Sequence, residues 1–203
     1  MAKIDNVDGL RSIYKQPNPR ALEKQITWLD PHCKKFIELS PFLVLSTQGP
    51  DGWGDVSPKG DAPGFVAILD DHTVAIPDRL GNNRLDTLTN LIRNPGVGLM
   101  FLVPGVGETL RINGTAEIRD DDDLRERFVV NGRLPATVIV VTVKEAYLHC
   151  AKAIMRSNLW DGDIQIDRSL MPSVGEMIRD QRGSTEPAET QAEMVEYYKR
   201  NLY

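Results

Sequence analysis

The sequence predicts a mainly β fold with helices at its periphery, bent around one polar loop. Three observations carry this. Apolar, β-branched segments recur between turns from Pro41 to Val143. Between Gly60 and Ile118 the order reads strand, turn, strand, basic loop, helix, strand, turn, strand. The stretches before Ser40 and after Asp161 lack that β character and read as helical or turn-prone.

The totals narrow the class. A chain of 203 residues suits one domain, or one domain with appendages. With 41% hydrophobic residues it can build a sizeable core, and 16 Gly and 13 Pro fit a turn-rich fold. A formal net charge of −5 offers nucleic acid no overall basic surface, although a local cationic pocket is compatible with it. No apolar run approaches the ~20 residues that span a bilayer. Met1-Ala2-Lys3-Ile4-Asp5-Asn6 holds no apolar signal core. Two cysteines, Cys33 and Cys150, are no disulfide framework and read as reduced thiols of a cytoplasmic protein.

Residues 3–39 read as mainly helical. A short helix around Asp8–Tyr14 ends before Pro17 and Pro19. From Pro19, Leu22, Ile26 and Leu29 share one helical face. Asp30 before Pro31 suits an N-cap followed by proline at the first helical position, and Phe36, Ile37 and Leu39 carry that helix inward. This region is expected to pack on the sheet as a lid or layer.

Pro41–Thr47 is a strand, Gln48–Gly52 a turn, and Trp53–Gly60 the antiparallel return. From Ser57 to Gly64 the prolines and glycines argue against an unbroken ladder. Irregular backbone carrying Ser57 and Lys59 gives a hydroxyl and a compact cation, which a phosphate edge needs. A solvent-exposed turn with an ordinary lysine fits the same residues.

The loop Asp78–Arg84 is the more informative stretch. Arg79, Asn82, Asn83 and Arg84 crowd side-chain donors ahead of a helix expected over Leu85–Ile92, whose N-terminal amides favour an anion. Arginine can grip phosphate with two parallel hydrogen bonds. The competing reading is a capping loop, with Asn83 as N-cap, Asp86 at the third helical position, and the arginines in water. That reading explains neither arginine. Asp78 and Asp86 could pair with them and weaken an anion site.

Asn94-Pro95-Gly96 stops the helix, and Val97–Val103 is apolar enough to be a central strand. Alternation over Thr109–Ile118 puts Thr109, Arg111, Asn113 and Thr115 on one face, toward solvent or a polar cavity. Asp120–Asp123 precedes a helix over Leu124–Val130 and suits its positive end as a solvated cap, with no metal assigned. Ala136–Val143 is a strong β segment, continued by Tyr147–Ser157.

His149-Cys150 and His32-Cys33 invite a metal or nucleophile reading. Adjacent strand residues point to opposite faces, and the spacing is not that of a zinc site. Lys152, Arg156, Ser157 and Trp160 place two cations, a hydroxyl and a large π surface within nine residues, suited to an aromatic polyanion. A snorkelling lysine and half-buried tryptophan account for them equally. Beyond Asp161, Met171–Ile178 starts a short helix and Gly183–Thr190 is a linker. Gln191–Leu202 is a final helix with Met194, Val195, Tyr198 and Leu202 on its packed side. The division expected is 1–39 helical layer, 40–160 main domain, 161–203 helical arm.

Four segments together resemble the pyridoxamine 5′-phosphate oxidase-like, FMN-binding split-barrel family. They are Ser57-Pro58-Lys59-Gly60-Asp61, Ile76–Arg84, Asn94-Pro95 and Glu108–Gly114. Cys150–Ala153 and Arg156–Trp160 are similar to an oxidase-related branch of it. The resemblance covers roughly residues 40 to 160. It implies a six-stranded Greek-key split β-barrel forming a homodimer, with FMN in clefts between subunits. Carried over residue by residue, it implicates Arg79, Asn82, Asn83 and Arg84 in phosphate binding, with Ser57 and Lys59 on the preceding strand. Thr109 and Arg111 would lie near the flavin. Lys152, Arg156, Ser157 and Trp160 would reach the cofactor from the C-terminal region, across the dimer.

The substrate motif of the true oxidases, a C-terminal Trp with Arg–x–His, is missing, so vitamin B6 oxidation is not the expected activity. The expectation is a flavin-dependent oxidoreductase on a small molecule, with NAD(P)H as candidate electron donor and no catalytic residue assigned. Alternatives are a protein that stores or senses FMN without turnover, or the same fold holding deazaflavin or haem, with His149 as the axial candidate.

Overall fold

A computed structural model describes residues 3–203. Its centre is a seven-stranded antiparallel sheet. In chain order the strands are β1 (Phe42–Gln48), β2 (Gly54–Gly60), β3 (Ala67–Asp70), β4 (Thr73–Asp78), β5 (Gly96–Leu102), β6 (Thr109–Arg119) and β7 (Thr137–His149). Their order across the sheet is β2-β1-β5-β6-β7-β4-β3. Among the described residues the strand count is seven, where the family resemblance implies six, because the residues before the Asp70-Asp71 turn form a short edge strand. That strand hairpins with β4 and shifts register between Ile68 and Asp70. The ladder does not close: β2 and β3 are its two ends.

β7 is the longest strand at 13 residues. Its first half is β-branched and suits a fully buried strand. It pairs with β4 from Asp78↔Thr137 to Thr73↔Thr142, and with β6 from Arg119↔Val138 to Thr109↔His149. Alternation builds the core: Leu43, Leu45, Leu99, Phe101, Leu110, Ile112, Ile139 and Val141 are almost fully buried. Pro58 stays within the ladder opposite Val44, and regular pairing runs through Gly60. Proline is tolerated there because β2 is an edge and needs no donor on its open side.

Helix α1 (Val7–Ile13) buries no residue, and α2 (Pro19–Glu23) is a single turn. The expected helical continuation through Ile26 to Leu29 does not form. β7 has lost its β4 partner beyond Thr142, and Ile26 bridges that free edge. Its amide donates to the Ala146 carbonyl at 3.0 Å, and Ala146 donates back at 2.7 Å. Leu22 is left exposed while Leu29 is fully buried. Asp30 caps α3 (Pro31–Leu39), accepting from the Cys33 amide at 2.7 Å. Cys33, Phe36 and Ile37 form its inward face; Leu39 falls outside that arc and is exposed. Burial pushes the Cys33 thiol up to about 12, so it serves packing, not nucleophilic chemistry.

Helix α4 (Asp86–Arg93) is pinned to the sheet by Asn90, whose amide donates to Thr47 Oγ1 at 3.0 Å and Asp55 Oδ2 at 3.2 Å. Helix α5 (Asp122–Glu126) follows β6, and Arg119 holds Asp121 with two hydrogen bonds of 2.6 and 2.8 Å. Helix α6 (Lys152–Ser157) follows β7, then two 3₁₀ turns at Gly162–Ile164 and Arg168–Leu170. Helices α7 (Val174–Arg182) and α8 (Gln191–Arg200) each begin with a capping box, at Ser173 and Thr190. Of the four residues expected on the packed side of the last helix, Met194 is buried and Val195 partly so, while Tyr198 and Leu202 are exposed. Among the described residues no helix is long and apolar enough to cross a membrane.

Within the sheet one backbone approach is tight. A Cβ on Gly114, at the β6 register shift, would collide with the Thr142 carbonyl, whereas one on Gly54 would meet nothing within 4 Å. Gly114→Ala should therefore destabilise the fold by about 1–3 kcal/mol. Gly54→Ala should stay within about 0.5 kcal/mol. Urea unfolding of the two variants is the measurement, and equal midpoints would contradict it.

Candidate anion site

A groove of about 830 Å³ opens where β2, the end of β4, the 79–85 loop and the first turn of α4 meet, with Ala136 and Thr137 in its wall. Six of the residues singled out in the sequence line it: Ser57, Lys59, Arg79, Asn82, Asn83 and Arg84. β2 and β4 lie near opposite ends of the sheet, so only curvature of the sheet brings these two groups together.

The competing reading, a capping box with Asn83 as N-cap, does not form. The Asn82 side chain instead accepts from the Arg84 amide at 3.1 Å. Asn83 and Leu85 both have positive φ, 58° and 59°, and Leu85 occupies the helix cap with no side-chain capping bond. A left-handed leucine costs about 1–2 kcal/mol. The turn it makes leaves the first amides of α4 without a side-chain acceptor.

Every cation of the groove has a carboxylate beside it. Lys59 Nζ lies 2.9 Å from Asp78 Oδ1, with both side chains under one-fifth exposed. Arg84 Nε donates to Asp86 Oδ2 at 2.7 Å in a pair open to solvent. Arg79 is held most firmly. Its Nε donates to Asp61 Oδ2 at 3.0 Å, its Nη1 to the Phe128 carbonyl at 2.7 Å, and its guanidinium lies 5.4 Å from the Tyr203 ring centroid. These pairs do not exhaust the donors. An ammonium has three N–H bonds and a guanidinium five. With Ser57, Asn82 and the α4 amides, the remaining donors fit the oxygens of a phosphate monoester.

Asp61 carries an electrostatic signature. Burial pushes its carboxyl up, but hydrogen bonds from Tyr203 and the Ala62 amide, with the Arg79 guanidinium, hold it below the ordinary range. Tyr203 Oη donates to Asp61 Oδ1 at 2.7 Å, and the Tyr203 phenol is raised by that bond and by burial.

Sequence reasoning missed several wall residues. Thr87 and Thr137 line the groove, and the Thr137 hydroxyl is buried with no hydrogen-bond partner among the described residues. Thr137 opens a β-branched run, where a threonine reads as ordinary strand. Tyr203 follows a helix 124 positions beyond Arg79, with no local signal tying the two.

The remaining candidates lie elsewhere. Thr109 pairs with His149 at the far end of β7, and Arg111 lies over the Tyr147 ring at 5.7 Å. Lys152, Arg156 and Ser157 sit on α6, and Trp160 Nε1 donates to the Val106 carbonyl at 2.8 Å. At roughly 3.3 Å per residue, the two ends of β7 are about 40 Å apart along the strand. One chain therefore does not gather both sets into one pocket. His149 is exposed at that far end, with its ring 6.4 Å from Tyr147.

Residues 29–150 match the family model described as pyridoxamine 5′-phosphate oxidase. The chain belongs to this family. No curated protein matches it by sequence. Among solved structures, HupZ of Group A Streptococcus is similar at 18% identity and a TM-score of 0.50, over 59% of this chain and 92% of that one. A protein related to general stress protein 26, from Clostridium acetobutylicum and of the pyridoxinephosphate oxidase family, shares 14% identity. It covers 59% of this chain and 86% of its own, with a TM-score of 0.46. The FAD binding protein from Mycobacterium smegmatis shares 17%, over 61% and 97%, with a TM-score of 0.43. At such identities the likeness concerns fold alone. Within this oxidase family, the chain's loop and β2 residues form one groove at one end of the sheet.

The Asp61 shift has a stability consequence. A carboxylate depressed in the folded state stabilises the fold above its unfolded value, near about pH 4. That contribution is lost as pH falls through the lower folded value. Asp61→Asn should thus flatten the acid limb of a stability–pH curve as pH falls through and below the ordinary carboxylate range. An acid limb parallel to the wild type would contradict this.

Proposed function

We propose that the protein is an FMN-binding oxidoreductase with split-barrel architecture, acting on a small molecule in the cytoplasm as a homodimer. The observation that supports it most is the groove itself. In a member of the pyridoxamine 5′-phosphate oxidase family, one end of the sheet presents Ser57, Lys59, Arg79, Asn82, Arg84 and the uncapped first turn of α4 to a common space. FMN, when bound, supplies the hydride-accepting chemistry.

This chain's residues hold and tune it. The groove would take the phosphate: Arg84 and Lys59 supply charge, and Arg79 supplies a donor already fixed in place. The donor set at the other end of β7 would reach the ring system from a second subunit. There Trp160 offers an aromatic face and Ser157 a hydroxyl. A cation beside a reduced flavin favours its anionic form; Arg111, Lys152 and Arg156 are this chain's candidates.

The outer sheet face supports pairing of subunits. Opposite the buried side of β1 and β5 lie Phe42, Val44 and Met100, and Met100 pairs with Arg111 and Arg111 with Tyr147 across the sheet. Phe42 and Met100 are about two-fifths exposed, and Val56 beyond them is more so. Exposed apolar side chains sharing one sheet face are a surface suited to association.

Purified protein should therefore show a flavin absorption spectrum, or acquire one from added FMN, and bleach anaerobically with NADH or NADPH. Uptake without bleaching would leave a binder or another donor; failure to take up FMN would overturn the reading. Arg84→Ala should weaken FMN binding about tenfold, and unchanged affinity would remove Arg84 from the site. Met100→Glu should convert a dimer to monomer in light scattering, and a wild-type monomer would refute the dimer.

A further inference from the structure

We infer that Tyr203 is a positioning residue of the anion groove, fixing the Arg79–Asp61 pair in the orientation that presents Arg79 to a phosphate. The inference rests on the FMN reading above and names a part of the site that lies outside the residues matched to the family, 29–150.

The geometry carries it. Asp61 accepts three hydrogen bonds: from its neighbour Ala62's amide at 2.7 Å, from Arg79 Nε at 3.0 Å, and from Tyr203 Oη at 2.7 Å. Its side chain is 5% exposed, so this set replaces water around the carboxylate. Arg79 is confined on three sides, by Asp61, by the Phe128 carbonyl and by the Tyr203 ring. Tyr203 thus touches both members of the pair, the acid through its hydroxyl and the base through its ring face.

Its own backbone is anchored too, since Arg133 Nη1 donates to the Tyr203 carbonyl. The chain leaves the sheet at the far end of β7, where Trp160 is tied to Val106, and by Tyr203 it has returned to the groove end. Residues 61, 79, 128, 133 and 203 then form one knot.

Without Tyr203, Asp61 would lose a donor and Arg79 a wall. The guanidinium would still be present but free to swing, so binding a phosphate would first have to immobilise it. The loss should fall on the phosphate end of a ligand and spare its ring. That separates positioning from general damage to the fold.

The experiment is fluorescence titration of the full chain with FMN and with riboflavin, which lacks the phosphate. It compares wild type, Tyr203→Phe, Tyr203→Ala and Arg84→Ala, with thermal unfolding of each. Tyr203→Ala should weaken FMN about tenfold and leave riboflavin unchanged. Tyr203→Phe keeps the ring over Arg79 but not the bond to Asp61, and should fall between. If Tyr203→Ala binds FMN like wild type, or loses FMN and riboflavin equally, the positioning role is overturned. In that case a weakened Arg84→Ala leaves the FMN reading standing. A wild type that binds no FMN overturns both.

Discussion

The hydrogen bonding of β7 along both edges is the constraint on which the rest depends. Thr137–Thr142 serves β4 on one side while Val138–His149 serves β6 on the other. The sheet's twist accumulates across seven strands and brings the β2 end toward the β4 end. There the backbone ladder stops and side chains take over. Lys59–Asp78 and Arg79–Asp61 span the opening between β2 with its extension and β4 with its extension. Ion pairs impose less on the backbone than a ladder would. They leave a groove where a closed barrel would have only wall.

Those pairs also shape the electrostatics. Three cationic residues line the groove, each with its own carboxylate, so it is not a simple positive sink. Bare buried cations would be costly to desolvate. Paired, they keep their orientation and a reserve of N–H donors. The exposed Arg84–Asp86 pair is the one solvent screens most, and so the one most easily exchanged for another anion.

Much of this was legible in the sequence because it is local. The alternation of β1, the apolar run of β5, the Asp30-Pro31 cap and the crowding of donors from Arg79 to Arg84 are short-range signals, and each has its counterpart in the structure. Where the reading failed, the deciding partner was distant. Ile26 left a helical pattern because β7 had an unpaired edge near Ala146. The alternative of an Asn83 cap, which the sequence reading set behind an anion site, gives way to Leu85 because the loop turns through left-handed residues, and leucine carries no signal for that conformation. Thr109 and Arg111, expected near the flavin, and the α6 residues, expected to reach it across a dimer, lie at the far end of β6 and β7 from the loop. The oxidase-family membership is shown by the match over residues 29–150.

The separation is itself an argument. Two donor sets lie at opposite ends of one strand: the groove offers an anchor for a charged tail, and the α6 set adds the aromatic face of Trp160. They become complementary if two chains pack with the apolar faces of β1 and β5 between them, so that one chain's groove meets the other's α6. The exposed Phe42 and Met100 lie on the sheet face between those ends, and burying them would contribute roughly 25 cal/mol per Å² of apolar area. Pairing would then serve stability and site assembly with the same contact. A rigid groove is what such an arrangement requires: a ligand held from two bodies is bound tightly only if neither must be ordered at the moment of binding. Arg79, immobilised by partners drawn from three distant segments before any ligand arrives, meets that requirement.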